Sequence, residues 1–191
     1  ITKDAQQSTA EYDWDAATPS LPGYRPDLHA LPDEFERALD LINSAKRPLI
    51  LAGQGIIRSN SSNLVLQIAE KAQIPVAMTL LGIGAIPAGH PLNLGMMGMH
   101  GEAWVNQAIQ RAGLLLAFGM RFDDRVTGNL RNFAPHARKV HVEIDASEIG
   151  KNVAVDVAMV ADLRPTLEAL LPLVPEKRCP DWLAEIAAGR Q

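Results

Sequence analysis

The sequence predicts an open, doubly wound α/β sheet of five or six parallel strands, preceded by an irregular N-terminal arm. Three observations carry this. Short unbroken apolar runs recur along the chain, each of the length of a strand covered on both faces. Segments with apolar residues at helical spacing alternate with them. Each apolar run is followed, directly or within a few residues, by glycine, a carboxylate or arginine. Helices alternating with buried strands require parallel pairing through right-handed crossovers.

Residues 1–32 hold Pro19, Pro22, Pro26 and Pro32 and no sustained period of 2 or 3.6. They read as an arm or linker lying on a surface, with turn chemistry at Pro19–Gly23. Tyr12, Trp14 and Tyr24 argue against plain disorder. Over 33–173 the pattern becomes regular. Phe35, Ala38, Leu39, Leu41 and Ile42 share a helical face, with Asp33 as N-cap and Glu36 three residues on. Pro48–Ala52 is a strand closed by Gly53. Leu64, Val65, Ile68, Ala69 and Ala72 form the next helix stripe, and Ile74–Met78 the second strand. Ala103, Val105, Ala108 and Ile109 give a third helix, and Gly113–Phe118 a third strand. Lys139–Ile144 and Val157–Val160 complete the strands, and Leu163, Leu167, Leu170 and Leu171 close the fold as a helix. Residues 174–191 read as a tail or linker with a short helix from Trp182 to Ala188.

Composition narrows the function. A chain of 191 residues has enough length to bury its own core. Lys plus Arg is 18 against 22 for Asp plus Glu, so the net charge of −4 lacks the basic stripe of a nucleic-acid binder. The single Cys179 excludes an internal disulfide framework and a cysteine-based zinc site. No apolar run approaches the ~20 residues of a membrane span. The start, Ile1-Thr2-Lys3-Asp4, does not resemble a signal peptide, and without a Met it reads as cut from a longer chain. These features point to a soluble, cytoplasmic protein.

An open parallel sheet binds ligands beyond the carboxyl ends of its strands, and the residues there are distinctive. Gly53-Gln54-Gly55 follows the first strand, and two glycines let backbone approach a phosphate or a ring closely. Arg58 interrupts a full G-x-G-x-x-G, so a plain tight turn explains the segment as well. Thr79-Leu80-Leu81-Gly82 follows the second, with Thr79 either a donor to a ligand oxygen or a local cap. Gly95-Met96-Met97-Gly98-Met99-His100-Gly101 combines adaptable Met side chains, which pack well on flat rings, with glycines that leave room for one. His100 lacks metal-ligand spacing, since His90 lies ten residues away. It reads as a contact to a flat cofactor, or as a histidine satisfied by a carbonyl. Gly119-Met120-Arg121-Phe122-Asp123-Asp124-Arg125 follows the third strand. Its arginines suit a pyrophosphate or carboxylate, unless the cluster is only a solvated face. Glu143 at the fourth strand end suits a ribose hydroxyl, while Asp145 mainly caps the turn after it. Asp162 closes the fifth strand as a further carboxylate or as an N-cap. Together these ends suggest one extended nucleotide lying across the sheet edge.

The strings Thr79–Gly82, Gly95–Gly101, Phe118–Gly128 and Glu148-Ile149-Gly150-Lys151-Asn152 resemble the central domain of the acetolactate (acetohydroxyacid) synthase catalytic subunit, a thiamine diphosphate enzyme. The resemblance covers nearly the whole chain and implies a Rossmann-like domain that holds FAD structurally. By motif match the FAD would be lined by Gly53, Gln54, Gly55, Thr79, Leu80, Met97, Gly98, Met99, His100, Gly119, Met120, Arg121, Phe122, Asp123, Glu143, Ile144, Asp162 and Leu163. Arg125, beside Asp124 and Met99 at the substrate channel, would meet the carboxylate of a 2-keto acid. Gln54 stands where many relatives carry Gly, Glu143 where Asp is more frequent, and Thr2 where Pro is usual. The resemblance further implies a parent enzyme that condenses two pyruvates, or pyruvate with 2-ketobutyrate, as a homo-oligomer (dimer or tetramer) with a small regulatory subunit. Its thiamine diphosphate and Mg²⁺ belong to other domains; no Gly-Asp-Gly occurs here, and this segment alone is expected to be inactive. Competing readings are a related central domain for NAD or ADP, and an assembly module that binds no nucleotide.

Overall fold

The computed structural model describes residues 2–9 and 28–190. The expected turn at Pro19–Gly23 and the aromatics Tyr12, Trp14 and Tyr24 lie outside the described residues. The arm is not wholly irregular: Lys3–Gln7 forms a short helix, α1, with no buried residue. Helix α2 spans Pro32–Ser44, and strand β1 Pro48–Ala52. The short α3 (Gln54–Arg58) and α4 (Ser62–Ala72) lead to β2 (Val76–Met78). Next come β3 (Asn93–Met96), α5 (Ala103–Arg111) and β4 (Leu114–Phe118). Then follow the single-turn α6 (Asp124–Thr127), β5 (Arg138–Glu143) and β6 (Val157–Val160). Helices α7 (Leu163–Leu173) and α8 (Pro180–Ala188) close the chain.

All six strands pair in parallel, in the order β3-β2-β1-β4-β5-β6. This is the order of a doubly wound dinucleotide-type sheet, and it reverses between β1 and β4. The unbroken apolar strands follow from burial on both faces. Alternate residues Ile50, Val76, Leu116, Phe118 and Val142 pack into one core with Ala38, Ile42, Ile68 and Leu167 from α2, α4 and α7. Their neighbours Leu49, Leu51, Ala77, Leu115 and Ala117 pack into the other with Val105, Ile109, Trp182 and Ile186 from α5 and α8.

Some elements depart from expectation. Helix α2 is capped by Leu31, not Asp33. Pro32, which has no N–H and a preset φ, occupies the first turn, and the Leu31 N–H donates to Glu34 Oε2 at 2.8 Å. Strand β3 was not among the runs read as strands. It is an edge strand whose register slips beside Val76 and Ala77, and it contains Asn93 and the left-handed Gly95, so it shows no apolar run. The C-terminal segment is part of the core. Trp182 is 2% exposed, and its indole Nε1–H donates to the Pro48 carbonyl at 2.9 Å, fixing α8 against the start of β1.

Candidate functional site

The point where the strand order reverses lies between the carboxyl ends of β1 and β4, and the segments there touch backbone to backbone. Gly55 N–H donates to the Gly119 carbonyl at 2.9 Å. A Cβ on Gly119 would stand 2.6 Å from Gly55 Cα, and one on Gly53 would overlap Gly119 and Met120. Gly119 also has φ +58, where L side chains are strained. These glycines are therefore required by chain-to-chain contact before any ligand is considered.

Above this contact opens a cleft of about 1000 Å³, at the upper end of the size range of small-molecule sites. Every strand of the sheet contributes the segment just beyond it, and β3 and β5 also contribute their own last residues, Met96 and Glu143. Of the residues expected to contact a cofactor, Gln54, Gly55, Thr79, Leu80, Met97, Met99, His100, Gly119, Met120, Arg121, Asp123, Glu143, Ile144, Asp162 and Leu163 line it. Gly53, Gly98 and Phe122 do not. Gly53 is buried under the Gly119 turn. Gly98 packs on the Arg125 carbonyl, 2.6 Å from where its Cβ would be. Phe122 is 3% exposed, with its ring edge-on to Phe133 and His141.

The local folding explains each placement. Thr79 is a local cap, its Oγ1 accepting from Gly82 N–H at 3.1 Å. Asp123 caps α6 through Val126 N–H at 3.2 Å, and its second oxygen lies 3.7 Å from Arg121 Nη2. Glu143 Oε1 accepts from Ile144 N–H at 2.9 Å, so its carboxylate is folded onto its own strand end. Asp145 accepts from both Ser147 N–H and Oγ–H, which hold its carboxyl below the usual range; it caps the turn as expected. Asp162 caps α7 through Arg164 N–H at 3.1 Å.

At the cleft mouth the structure brings Arg125, Met99 and Asp124 together. Met99 N–H donates to the Arg125 carbonyl at 2.8 Å, Arg125 Nη1 donates to Met99 Sδ at 3.6 Å, and Arg125 Nε lies 3.9 Å from Asp124 Oδ2. Arg125 and Met99 line the cleft, whereas Asp124 faces outward with its side chain 81% exposed. Leu80, Leu81, Met99 and Ile144 present exposed apolar surface around the opening.

Sequence reasoning missed several lining residues: Arg58, Ser59, Leu81, Met96, Val126, Val142 and Ala161. Arg58 had a signal. It follows Gly55 by three residues on a helix that starts at the β1 turn, so it returns to the same face. The interruption of the glycine motif is thus itself a cleft cation. Also missed was Asn106 on α5, whose side-chain amide accepts from Gly98 N–H and donates to Gly98 O, both at 2.9 Å, pinning the Met-rich loop.

The arrangement offers arginines for an anionic group, carboxylates for hydroxyls and an apolar rim for a flat ring. Among the described residues, no group of three or more His, Cys, Asp and Glu could hold a metal ion. No helix among them is long and apolar enough to cross a membrane.

Comparison with known proteins identifies the family. The family model described as thiamine pyrophosphate enzyme, central domain, matches residues 35–170. The chain belongs to this family. Within it, the chain is 48% identical over 151 residues (79% of its length) to a probable acetolactate synthase large subunit of Methanocaldococcus jannaschii, covering 26% of that protein. It is 44% identical over 179 residues (93%) to the chloroplastic acetolactate synthase 2 of Nicotiana tabacum, again covering 26%. It is 39% identical over 197 aligned residues (100%) to an acetolactate synthase of Mycobacterium bovis, covering 32%. This central domain thus spans about a quarter to a third of the curated relatives it matches.

Proposed function

We propose that this chain is the central domain of an acetolactate synthase large subunit and that its cleft holds FAD. The observation that carries the reading is the convergence of Gln54, Thr79, Met97, His100, Arg121, Glu143 and Asp162, from six separate segments, on one cleft in a chain whose relatives are named acetolactate synthases. The cleft's size, apolar rim and paired charges fit a long anionic dinucleotide with a flat head. Arg121 and Arg58 would face its pyrophosphate, Glu143 a ribose hydroxyl, and the Met97–His100 loop its ring system. Gly98 and Gly53 would serve by packing the loops that bear these contacts, and Phe122 by filling the core beneath them.

FAD here is a structural element, and the reaction chemistry comes from thiamine diphosphate and Mg²⁺ held by other domains. The whole enzyme would condense two pyruvates, or pyruvate with 2-ketobutyrate, releasing CO₂, in branched-chain amino-acid biosynthesis. It would act in the cytoplasm as a homo-oligomer with a small regulatory subunit. This chain would contribute Arg125, whose guanidinium fork at the cleft mouth can hold a 2-keto acid carboxylate and orient the neighbouring carbonyl. Asp124 and Met99 keep that guanidinium in place.

The test is to purify the full-length chain and supply pyruvate, thiamine diphosphate and Mg²⁺ with and without FAD. Acetolactate formation that depends on FAD is expected. Full activity in flavin-free enzyme, or pyruvate consumed without acetolactate, would reject the reading.

A further inference from the structure

The segment Gly119–Asp123 supplies Gly119, Met120, Arg121 and Asp123 to the cleft, yet it lies between β4 and α6 with neither strand nor helix to hold it. Backbone bonds from Gly55 N–H and to the Val142 carbonyl hold its first residue, Gly119, and two side chains that do not line the cleft hold the part that follows. His141 on β5, fully buried, sets its Nε2 2.7 Å from the Met120 carbonyl. A carbonyl only accepts, so Nε2 carries the proton. Among the described residues Nδ1 has no hydrogen-bond partner, and burial pushes the ring's pKa below the ordinary value. The ring stands edge-on to Phe122 with centroids 5.0 Å apart. Asn152 Nδ2 donates to the Phe122 carbonyl at 2.8 Å. Asn152 ends the Glu148–Asn152 run, in which Gly150 has φ +68 and Lys151 Nζ pairs with Glu148 Oε1 at 2.9 Å. None of that run lines the cleft. Its contact with the segment is made through Asn152.

We propose that His141 and Asn152 are positioning residues that clamp the carbonyls on either side of Arg121 and so preset the cleft for its anionic ligand. The proposal rests on the cofactor reading above for the identity of that ligand. The Met120 carbonyl lies in the peptide unit that enters Arg121 and the Phe122 carbonyl in the one that joins Phe122 to Asp123, so the two contacts hold the chain on both sides of Arg121. Binding then orders only the arginine side chain, and the ordering cost of the loop is met in the fold.

The experiment uses the chain with Asn152→Ala, His141→Leu and His141→Gln. Asn152 is exposed, so its truncation leaves the core intact; Gln at 141 keeps a donor at the position of Nε2. Amide exchange of residues 119–123 is read without ligand, and the FAD dissociation constant is read by flavin fluorescence. We expect Asn152→Ala to speed exchange in this segment and weaken FAD by about fivefold, the scale of one neutral hydrogen bond. Exchange in β1 should be unchanged. His141→Leu should act likewise, and His141→Gln should recover most of the loss. Native exchange over 119–123 in Asn152→Ala, or equal defects in His141→Leu and His141→Gln, would overturn the proposal. Failure of the unsubstituted chain to bind FAD would instead reject the cofactor reading, and the exchange arm would still decide the clamp.

Discussion

Arg125 is joined to Met99 twice, by backbone and by side chain, and its side chain is still 70% exposed at the cleft mouth. A charge-assisted pair with a substrate carboxylate is worth about 1.5–3 kcal/mol, or roughly ten- to a hundredfold in rate. Arg125→Ala in the full-length enzyme should therefore lower acetolactate formation by that range while bound FAD per chain changes little. An equal fall in both would make Arg125 part of the flavin site. His141 gives a pH prediction. Its pKa is lowered in the fold mainly by desolvation, with the Met120 hydrogen bond and the charges of Glu143 and Glu148 opposing the shift. Below the ordinary imidazole pKa of about 6.5, the unfolded chain takes up a proton that the native ring resists. That contribution to stability is intact above this pH and declines as pH falls through it. The urea midpoint should drop between pH 7.5 and 5.5, and His141→Gln should flatten the drop; identical pH slopes would contradict this. His141 and Lys139 also mark a limit of sequence reading. Both polar residues are buried on β5 and bond to carbonyls: His141 Nε2 to Met120, 21 residues away, and Lys139 Nζ to Ala134 and Ala137 in the turn just before the strand.

Among the elements, the fully buried strands β1 and β4 were legible because a both-face environment demands an unbroken apolar run, while β3 was hidden by its edge position and Asn-Gly content. Helix α8 shows a different limit. Its periodicity was visible in Trp182–Ala188, but no local pattern says that Trp182 closes the core under β1. Trp182→Ala should cost about 3–5 kcal/mol, the range for removing a buried large aromatic, and should lower the urea midpoint accordingly. A shift within experimental error would return the segment to the status of a tail. The β1 and β4 turns carry the complementary test. Gly119→Ala must place a methyl 2.6 Å from Gly55 Cα at a positive φ. It should lower the thermal midpoint by several degrees, whereas Gly89→Ala, with nothing within 4 Å of its Cβ, should not. Equal effects would show that the two turns can separate without cost.

At the scale of the whole molecule, the strand order decides where the loops meet. The sequence indicated which residues close each strand, and the rule that such sheets bind at their carboxyl edge was enough to gather most of the cleft. Phe122 was misplaced because alternation within Arg121-Phe122-Asp123 sends its ring down into the second core while its neighbours face the cleft. Asn106 and Asn152 were invisible as supports because they act across the chain, on Gly98 and Phe122. Together these loops would form one slot for FAD. Titrating FAD into the chain while following flavin fluorescence tests it most directly. Quenching should saturate at one FAD per chain, with a thermal midpoint that rises with ligand concentration. Unquenched flavin at saturating protein, with ADP alone raising the midpoint, would contradict it.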